Sequence, residues 1–190
     1  MKYLITGLGN IGEQYAHTRH NIGFDILDAL SGSSNILFSG DRYGSIAEIK
    51  WKGRILILLK PSTYVNLSGK AVNYHLKKHK IELENLLVIL DDISLPFGTL
   101  RLKPSGGNAG HNGLINISEV LGTQNYSRLR FGIGNDYPKG YQVQHVLGSW
   151  DQDEEKLLSG YIERATDAIK SFCTIGVERT MNFFNKSKGD

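Results

Sequence analysis

Leu86-Leu87-Val88-Ile89-Leu90-Asp91-Asp92 is a run of five aliphatic residues that ends in two aspartates. An unbroken apolar run of this length is typical of a strand that is buried on both faces of a sheet, and the aspartates mark its end. Tyr3–Thr6 and Ile55–Leu59 are short apolar runs of the same kind. The three segments predict buried strands, as in sheets that helices cover on both sides.

The segments between these runs predict a hairpin and several helices. Ser45–Trp51 alternates in polarity and is followed by Lys52-Gly53, so it is expected to pair with the Ile55–Leu59 strand. The clearest helix begins near Asp151, with Glu154 completing a capping box. The residues spaced to share a helix face are Ile22, Ile26, Leu27 and Leu30; Val72, Leu76 and His79; and Leu157, Leu158, Tyr161, Ile162, Ala165, Ile169 and Phe172.

Alternating strands and helices predict an α/β protein, and the hairpin predicts a sheet that is mixed. We expect one domain spanning residues 1–190, a three-layer α/β/α sandwich around a mixed, mostly parallel sheet. Apolar content of 40% and charged content of 22% fit a soluble globular protein. A net charge of +3 is compatible with a nucleic-acid partner but does not require one.

The remaining bulk features exclude several classes of protein. A single cysteine, Cys173, rules out an internal disulfide and a cysteine-based zinc cage, and its place at the end of a helix predicts a buried thiol. Met1–Gly7 holds only a short apolar run, so we expect no signal peptide, and no run is long enough to cross a bilayer. The expected location is the cytoplasm.

Four loops expected beyond the carboxyl ends of strands are rich in Asn, His, Asp and Gly: residues 7–20, 60–70, 91–98 and 104–113. Sites in open α/β sheets gather beyond the carboxyl ends of the strands, so these loops predict the place of the active site. The first loop contains Gly7-Leu8-Gly9-Asn10-Ile11-Gly12, which matches a dinucleotide-binding fingerprint. A dinucleotide site needs a helix that begins inside the motif, whereas Glu13–Arg19 has no apolar stripe typical of a helix. The sequence fits better with glycines that form tight turns and present Asn10 at a site.

His20, at the end of this loop, and Asp91, at the end of a strand, are candidates for a general base and the carboxylate that orients it. The residues alone leave open that Asp91 only caps a turn. No serine stands in a nucleophile motif, so direct attack by water is the simplest hydrolytic scheme. Two histidine pairs, His17/His20 and His75/His79, have helical spacing, but neither has a third ligand. We therefore predict solvated histidines and no metal.

Gly106–Gly113 leads into an apolar helix, Leu114–Leu121, and predicts either an anion-binding helix start or a flexible loop.

The motifs described above, taken together, resemble those of bacterial-type peptidyl-tRNA hydrolases. The blocks that carry the resemblance cover nearly the whole chain in the same order: Gly7–Asn10, Thr18–Gly23, Lys60-Pro61 with Asn66–Gly69, Asp91-Asp92, Leu95-Pro96 with Gly98, Gly110–Leu114, Arg128–Gly134 and Val146–Gly148.

The resemblance implies a monomeric, metal-independent and cofactor-free esterase that cuts peptidyl-tRNA, the only partner expected. It implies that His20 is the general base, that Asp91 orients it and that Asn10 takes part in the chemistry. Asn66 and Asn112 would position substrate with Tyr15, Tyr64, Gly110 and His111, while Lys103, Arg130 and Lys139 would contact tRNA phosphates. We expect the last three to lie in strand-end or loop segments that border one cleft.

The chain departs from the family pattern at Ile11, where proline is usual, and at Val65, where methionine is usual. We expect a looser first turn and a shallower peptide pocket as a result. Leu90, Ser94 and Asn108-Ala109 also differ, but every residue that the chemistry needs is kept. The alternative function is a non-catalytic RNA-binding protein, as in the splicing factors related to this family. A nucleotide-dependent oxidoreductase is the third hypothesis, and the helix placement opposes it.

Overall fold

The computed structural model describes residues 1–185, and within them the chain forms seven strands and six α-helices. The strands are β1 Lys2–Gly7, β2 Ser39–Asp41, β3 Gly44–Trp51, β4 Arg54–Pro61, β5 Leu86–Asp92, β6 Leu100–Lys103 and β7 Ser127–Gly132. The helices are α1 Ile22–Gly32, α2 Ser68–His79, α3 Asn112–Leu121, α4 Gln142–Val146, α5 Gln152–Ile175 and α6 Val177–Phe184.

All seven strands belong to one sheet with the order β2-β3-β4-β1-β5-β7-β6. The four central strands β4, β1, β5 and β7 are parallel to one another. β3 pairs antiparallel with both β2 and β4, and β6 pairs antiparallel with β7, so only β3 and β6 oppose the common direction in the described sheet. The mixed, mostly parallel sheet predicted from sequence is confirmed.

Helices cover both faces of the sheet, and each face has its own apolar core. Alternate residues of the central strands point to opposite sides, so Ile5 and Ile89 join one core while Leu4 and Val88 join the other. The first core is completed by α1 and α5, through residues such as Ile26 and Ile169. The second is completed by α2 and α3. The result is the predicted three-layer α/β/α sandwich.

Most of the elements predicted from sequence are present. The hairpin turns at Lys52 and Gly53, whose φ angles of 46° and 76° fit a tight β-turn between antiparallel strands. The capping box of α5 forms as predicted, because Asp151 accepts from the backbone of Glu154 and Glu154 accepts from the backbone of Asp151. The apolar stripe of α5 begins later than predicted, since Leu157 is 55% exposed.

The parallel strands bring four loops to one edge of the sheet. The loops after β1, β4, β5 and β7 leave its carboxyl edge, and the segment between β6 and α3 approaches the same region through contacts with Asp91 and Arg130. Among the described residues, no helix is both long enough and apolar enough to cross a membrane.

Candidate active site

Helix α1 approaches β1 and β5 very closely, and two glycines allow it. A Cβ atom on Gly7 would lie 2.3 Å from the carbonyl oxygen of Gly23, and one on Gly23 would lie 2.6 Å from the backbone of Leu8. Within the glycine motif only Gly12 has a positive φ, at 112°. Gly7 therefore serves close packing, and the tight-turn prediction holds only for Gly12. Because α1 begins at Ile22, beyond the motif, the dinucleotide interpretation is not supported.

Asn10 is fixed by three hydrogen bonds that leave its side-chain NH2 group free. Its backbone N–H donates to Oδ1 of Asn21 at 2.9 Å, and Nδ2 of Asn21 donates to its carbonyl oxygen at 2.9 Å. Its side-chain Oδ1 accepts from the backbone N–H of Val65 at 3.0 Å. This assigns the amide orientation, so the Nδ2 group is the end without a protein partner within residues 1–185. Asn10 can donate a hydrogen bond into the site.

His20, Asp91 and His111 form a hydrogen-bonded cluster at the end of β5. Nδ1 of His20 lies 2.9 Å from Oδ1 of Asp91, and Nε2 of His111 lies 3.2 Å from the same oxygen. The carboxylate can only accept, so each imidazole donates to it. Nδ1 of His111 in turn accepts from the backbone N–H of Gly113 at 3.2 Å. In its neutral form His20 therefore carries its proton on Nδ1 and its lone pair on Nε2.

Electrostatics favour an ionised Asp91 and a strengthened base at His20. Burial lowers the pKa of His20, but the hydrogen bond and the negative charge of Asp91 together outweigh it, so the pKa is raised above the usual value. Burial raises the pKa of Asp91, but the hydrogen bonds from His111 and His20 outweigh it and hold that pKa below its ordinary range. Such an arrangement suits proton abstraction near neutral pH.

These groups line a cavity of about 310 Å³. Its polar lining includes Asn10, His20, Asp91, His111 and Asn112, and its apolar lining includes Val65, Ile93, Val143, Val146 and Leu147. The α4 residue Val143 is 65% exposed, so an apolar surface remains open at this cavity. A concave site with a few convergent polar groups and an apolar wall is typical of a small-molecule or peptide pocket.

Asp92 and Arg130 form a second buried pair in the lining of the cavity. Nη1 of Arg130 lies 3.1 Å from Oδ2 of Asp92, while Oδ1 of Asp92 accepts from the backbone N–H and the hydroxyl of Ser94. Nη2 of Arg130 donates to the carbonyl oxygen of Gly107 at 2.8 Å. Arg130 therefore lies inside β7 with its charge already paired, whereas a place in a strand end or a loop was expected.

The side chain of Arg128 binds the backbone of the glycine-rich loop. The side chain is fully buried, and its Nη1 donates to the carbonyl oxygens of Gly106 and Gly107 at 2.5 and 3.2 Å. Further along the loop, Ala109 has a φ of 48°, a conformation that favours glycine. α3 then begins at Asn112, and the N–H of Gly113 is already taken by His111. The predicted apolar helix is confirmed, with its start capped by a side chain.

The prediction that the paired histidines are solvated holds only for His17, because His20 and His75 are buried and His79 is half-buried. His75 was expected to be solvated, which is wrong: it is fully buried on α2 and donates from Nε2 to the carbonyl oxygen of Arg42 at 2.9 Å. In the described part of the chain, His20, Asp91 and His111 form the only group of three His, Cys, Asp or Glu side chains that lie close enough together to hold a metal ion. The atoms that would bind the ion are Nδ1 of His20, Oδ1 of Asp91 and Nε2 of His111, and hydrogen bonds already join them. A site without a metal therefore remains the prediction that best fits the geometry.

The structure brings together seven of the twelve site residues that the sequence singled out. Those that line the cavity are Asn10, His20, Asp91, Gly110, His111, Asn112 and Arg130. Those outside its lining are Tyr15, Tyr64, Asn66, Lys103 and Lys139. Tyr64 is 58% exposed and, with Asn66, flanks the lining residue Val65. The departures at Val65 and Leu90 both lie in the lining of the cavity, while Ile11 is exposed.

Sequence reasoning missed three features of the site: the wall formed by α4, the arginines buried on β7 and the pairing of Asp92. Val143 and Val146 lie in a five-residue helix, which is too short for a periodicity signal. Arg128 gave no signal beyond its place in a matching block, because a charged residue is rarely expected in a core. Asp92 directly follows Asp91, and only the pleat of β5 separates their roles.

Comparisons with known proteins place the chain in a family. The family model described as peptidyl-tRNA hydrolase matches residues 4–190. A peptidyl-tRNA hydrolase of Phocaeicola vulgatus is 59% identical over 98% of this chain and 100% of its own length. One of Cytophaga hutchinsonii is 54% identical over 99% and 100%. A solved peptidyl-tRNA hydrolase structure from Acinetobacter baumannii has a TM-score of 0.90 and 37% identity, covering 98% of this chain and 95% of that one. The chain belongs to the peptidyl-tRNA hydrolase family.

Proposed function

We propose that this protein hydrolyses the ester bond between a peptide and the terminal ribose of tRNA, with His20 as the general base. One observation carries the proposal: the lone pair on Nε2 of His20 is left without a protein partner among the described residues, in the lining of a cavity, while Nδ1 is bound by Asp91. The substrate class follows from the family and from the names of the relatives.

In this mechanism a water molecule attacks the ester carbonyl while Nε2 of His20 takes its proton. The negative charge of Asp91, 2.9 Å from Nδ1, stabilises the imidazolium that forms. When the tetrahedral intermediate collapses, the bond to the ribose oxygen breaks and the imidazolium returns its proton to that oxygen. The tRNA leaves with a free hydroxyl and His20 is again neutral. The peptide leaves as a carboxylic acid, which keeps the second proton of the water molecule and loses it to solvent near neutral pH.

Asn10 is suited to orient the water or to stabilise the developing oxyanion, because its free Nδ2 donor is held by bonds to Asn21 and Val65. A donor that is already in place costs no reorganisation when charge develops on the carbonyl oxygen. Asn112 lines the same cavity and is the second amide we assign to the substrate. Gly110 and His111, also in the lining, complete this side of the pocket.

The peptide is assigned to the apolar wall of the cavity and the tRNA to its surroundings. Val143 and Val146 on α4 offer apolar surface to side chains of the peptide. Tyr15, Tyr64 and Asn66 remain candidates for contacts just outside the lining. Exposed Lys103 and Lys139 are the candidates for tRNA phosphates, and Arg130 joins them only if a phosphate competes with Asp92 for its guanidinium.

We also propose that the chain acts in the cytoplasm, as a monomer and as a single domain over residues 1–190. The single-domain proposal is supported by one continuous sheet with a core on each face and by a family match that spans residues 4–190. The monomer is proposed from the resemblance to the family. Sedimentation of the purified protein tests the oligomeric state directly.

The decisive experiment is release of an N-acetylated amino acid from its tRNA, measured in EDTA for the wild type, His20→Ala and His17→Ala. His17 is the matched control because it is exposed, lies three residues before His20 and bonds Asp25 rather than Asp91. We expect chelator-resistant activity in the wild type and in His17→Ala, and loss of about 10²–10⁴-fold in His20→Ala.

Each alternative predicts a different outcome. A wild type that binds the tRNA and leaves the ester intact would indicate the non-catalytic RNA-binding function, which no comparison favours. Activity that EDTA abolishes and a divalent ion restores would overturn the metal-free scheme. Equal activity of the two alanine variants would remove His20 from the mechanism.

A further inference from the structure

Arg19, the neighbour of the proposed base, connects its own turn to α4 and the residues after it, and to the start of α5. Its side chain is only 10% exposed, and Nη2 lies 2.5 Å from Oε2 of Glu154. Nη1 donates to the carbonyl oxygen of Ser149 at 2.6 Å and, at 3.4 Å, to that of His145. The guanidinium also lies over the ring of Trp150, 5.4 Å from its centroid.

One of these parts is the segment that carries the apolar wall of the cavity. His145 belongs to α4, which contributes Val143 and Val146 to the lining. The backbone reinforces the link, because the N–H of Arg19 donates to the carbonyl oxygen of Gly148 at 3.0 Å. The turn that holds the base and the segment that follows α4 are therefore joined by both main chain and side chain.

Another part is the start of α5, which is anchored independently of the site. Glu154 completes the capping box, so the same Oε2 that binds Arg19 accepts from the backbone N–H of Asp151 at 3.0 Å. Further along, α5 packs into the apolar core together with α1. Arg19 thus connects the base to the long helix, which is the more rigid element because its core residues are fully buried.

We propose that Arg19 is a positioning residue that fixes the proposed base and the peptide wall relative to each other. The inference rests on the proposed function of His20. Only a planar guanidinium can reach Glu154, Ser149 and His145 at once, because its donors point in fixed and different directions. A buried ion pair adds little net stability, and Nε of Arg19 has no partner among the described residues, so the contacts are better explained by geometry than by stability.

The test compares Arg19→Lys and Glu154→Gln with the wild type. Lysine keeps the charge and can hold one partner, but it cannot hold the others. Glutamine removes the charge while it still completes the capping box, so α5 keeps its start. We expect Arg19→Lys to lower kcat about 10- to 100-fold, because displacement of a reacting group by about 1 Å costs on the order of 100-fold. We expect Glu154→Gln to act in the same direction with a smaller effect.

Two readouts separate positioning from simple stability. Nitrogen NMR of the imidazole should show the pKa of His20 falling toward its ordinary value as the contact with Asp91 loosens, since that contact raises it. KM should rise more for an oligopeptidyl-tRNA than for an N-acetylaminoacyl-tRNA, since only the longer chain covers the wall. Arg54→Lys is the matched control: Arg54 also donates to two carbonyl oxygens, at the opposite edge of the sheet.

Unchanged kcat and an unchanged His20 pKa in folded Arg19→Lys, with only a lower Tm, would overturn the proposal. The same result in Arg54→Lys and Arg19→Lys would do so as well. If Arg19→Lys does not fold, Glu154→Gln decides by the same readouts. An inactive wild type would refute the proposed function, yet the His20 pKa in the variants would still decide whether Arg19 positions that side chain.

Discussion

Replacing Asp91 by Asn tests the electrostatic part of the site with little change in shape. Both His20 and His111 donate to one oxygen of the carboxylate, Oδ1, so the amide oxygen of asparagine can take that place and accept from both. What is lost is the negative charge. Since His20 becomes positively charged during attack by water, the variant should lose transition-state stabilisation and leave the resting geometry largely intact.

The size of the loss follows from the distance. With Nδ1 of His20 2.9 Å from Oδ1, the charge centres of the ion pair are roughly 4 Å apart, and their attraction is about 4 kcal/mol at an effective dielectric constant of about 20. Because about 1.4 kcal/mol corresponds to a factor of ten, the full attraction would account for nearly three powers of ten. Only part of the proton charge has moved in the transition state, so we expect kcat to fall about 10²- to 10³-fold.

The assay is single-turnover cleavage of an N-acetylaminoacyl-tRNA over a range of pH. The base must be neutral, so the rate rises with pH through the pKa of His20, which Asp91 holds above its usual value. Asp91→Asn should move this limb of the profile to lower pH while it lowers the plateau. Asp92→Asn is the control, because Asp92 pairs with Arg130 instead of His20 and the limb should stay in place. A limb that does not move, or a plateau within threefold of wild type, would refute the electrostatic argument.

Three further predictions concern packing, buried charge and tRNA binding. Gly23→Ala should lower the free energy of unfolding, measured in denaturant, by about 1–3 kcal/mol, because its Cβ would lie 2.6 Å from backbone atoms. Gly32→Ala on the same helix is the control: its Cβ meets nothing within 4 Å, so the free energy of unfolding should stay the same or rise. Burial raises the pKa of Asp25 to about 6, so stability should fall as pH rises from about 4 to 6; Asp25→Asn should raise Tm at pH 7.5 and lose that gain at pH 4. Lys103→Glu with Lys139→Glu should weaken tRNA binding, measured by filter retention, and flatten its salt dependence; an unchanged slope would exclude these lysines.

Much of the fold could be predicted from sequence because its centre obeys simple patterns. β1, β4 and β5 are apolar on both faces, and their runs are hard to place anywhere but inside a covered sheet. β7 was not predicted as a buried strand, because Arg128 and Arg130 alternate with Leu129 and Phe131. That pattern is typical of a strand with one solvent-exposed face. Both arginines are buried, and the carbonyls and carboxylate that make this possible lie far away in the sequence.

The candidate site could be predicted only to the extent that sheet topology places its parts. His20 and Asp91 could be paired in advance because Asp91 lies at the carboxyl end of one strand and His20 lies in the loop beyond the carboxyl end of another, at the same edge of the sheet. The contact between His111 and Asp91 depends on the exact path of the glycine-rich loop, and no periodicity fixes that path. Arg19 was visible only as part of a matching block, since nothing in sequence indicates that its side chain reaches Glu154.

The arrangement of charge around the cavity predicts that tRNA binding and the chemical step depend differently on salt. Inside, Asp91 is bound by two imidazoles and Asp92 by Arg130, so with neutral histidines the lining carries a small negative charge and no unpaired cation among its described residues. A phosphate would be repelled from such a lining, whereas an uncharged ester and a water molecule would not. The exposed Lys103 and Lys139 lie outside the lining, where a polyanion can be held without entering. Because exposed charges are screened by salt and buried pairs are screened far less, added salt should raise KM for the tRNA substrate while kcat stays nearly constant.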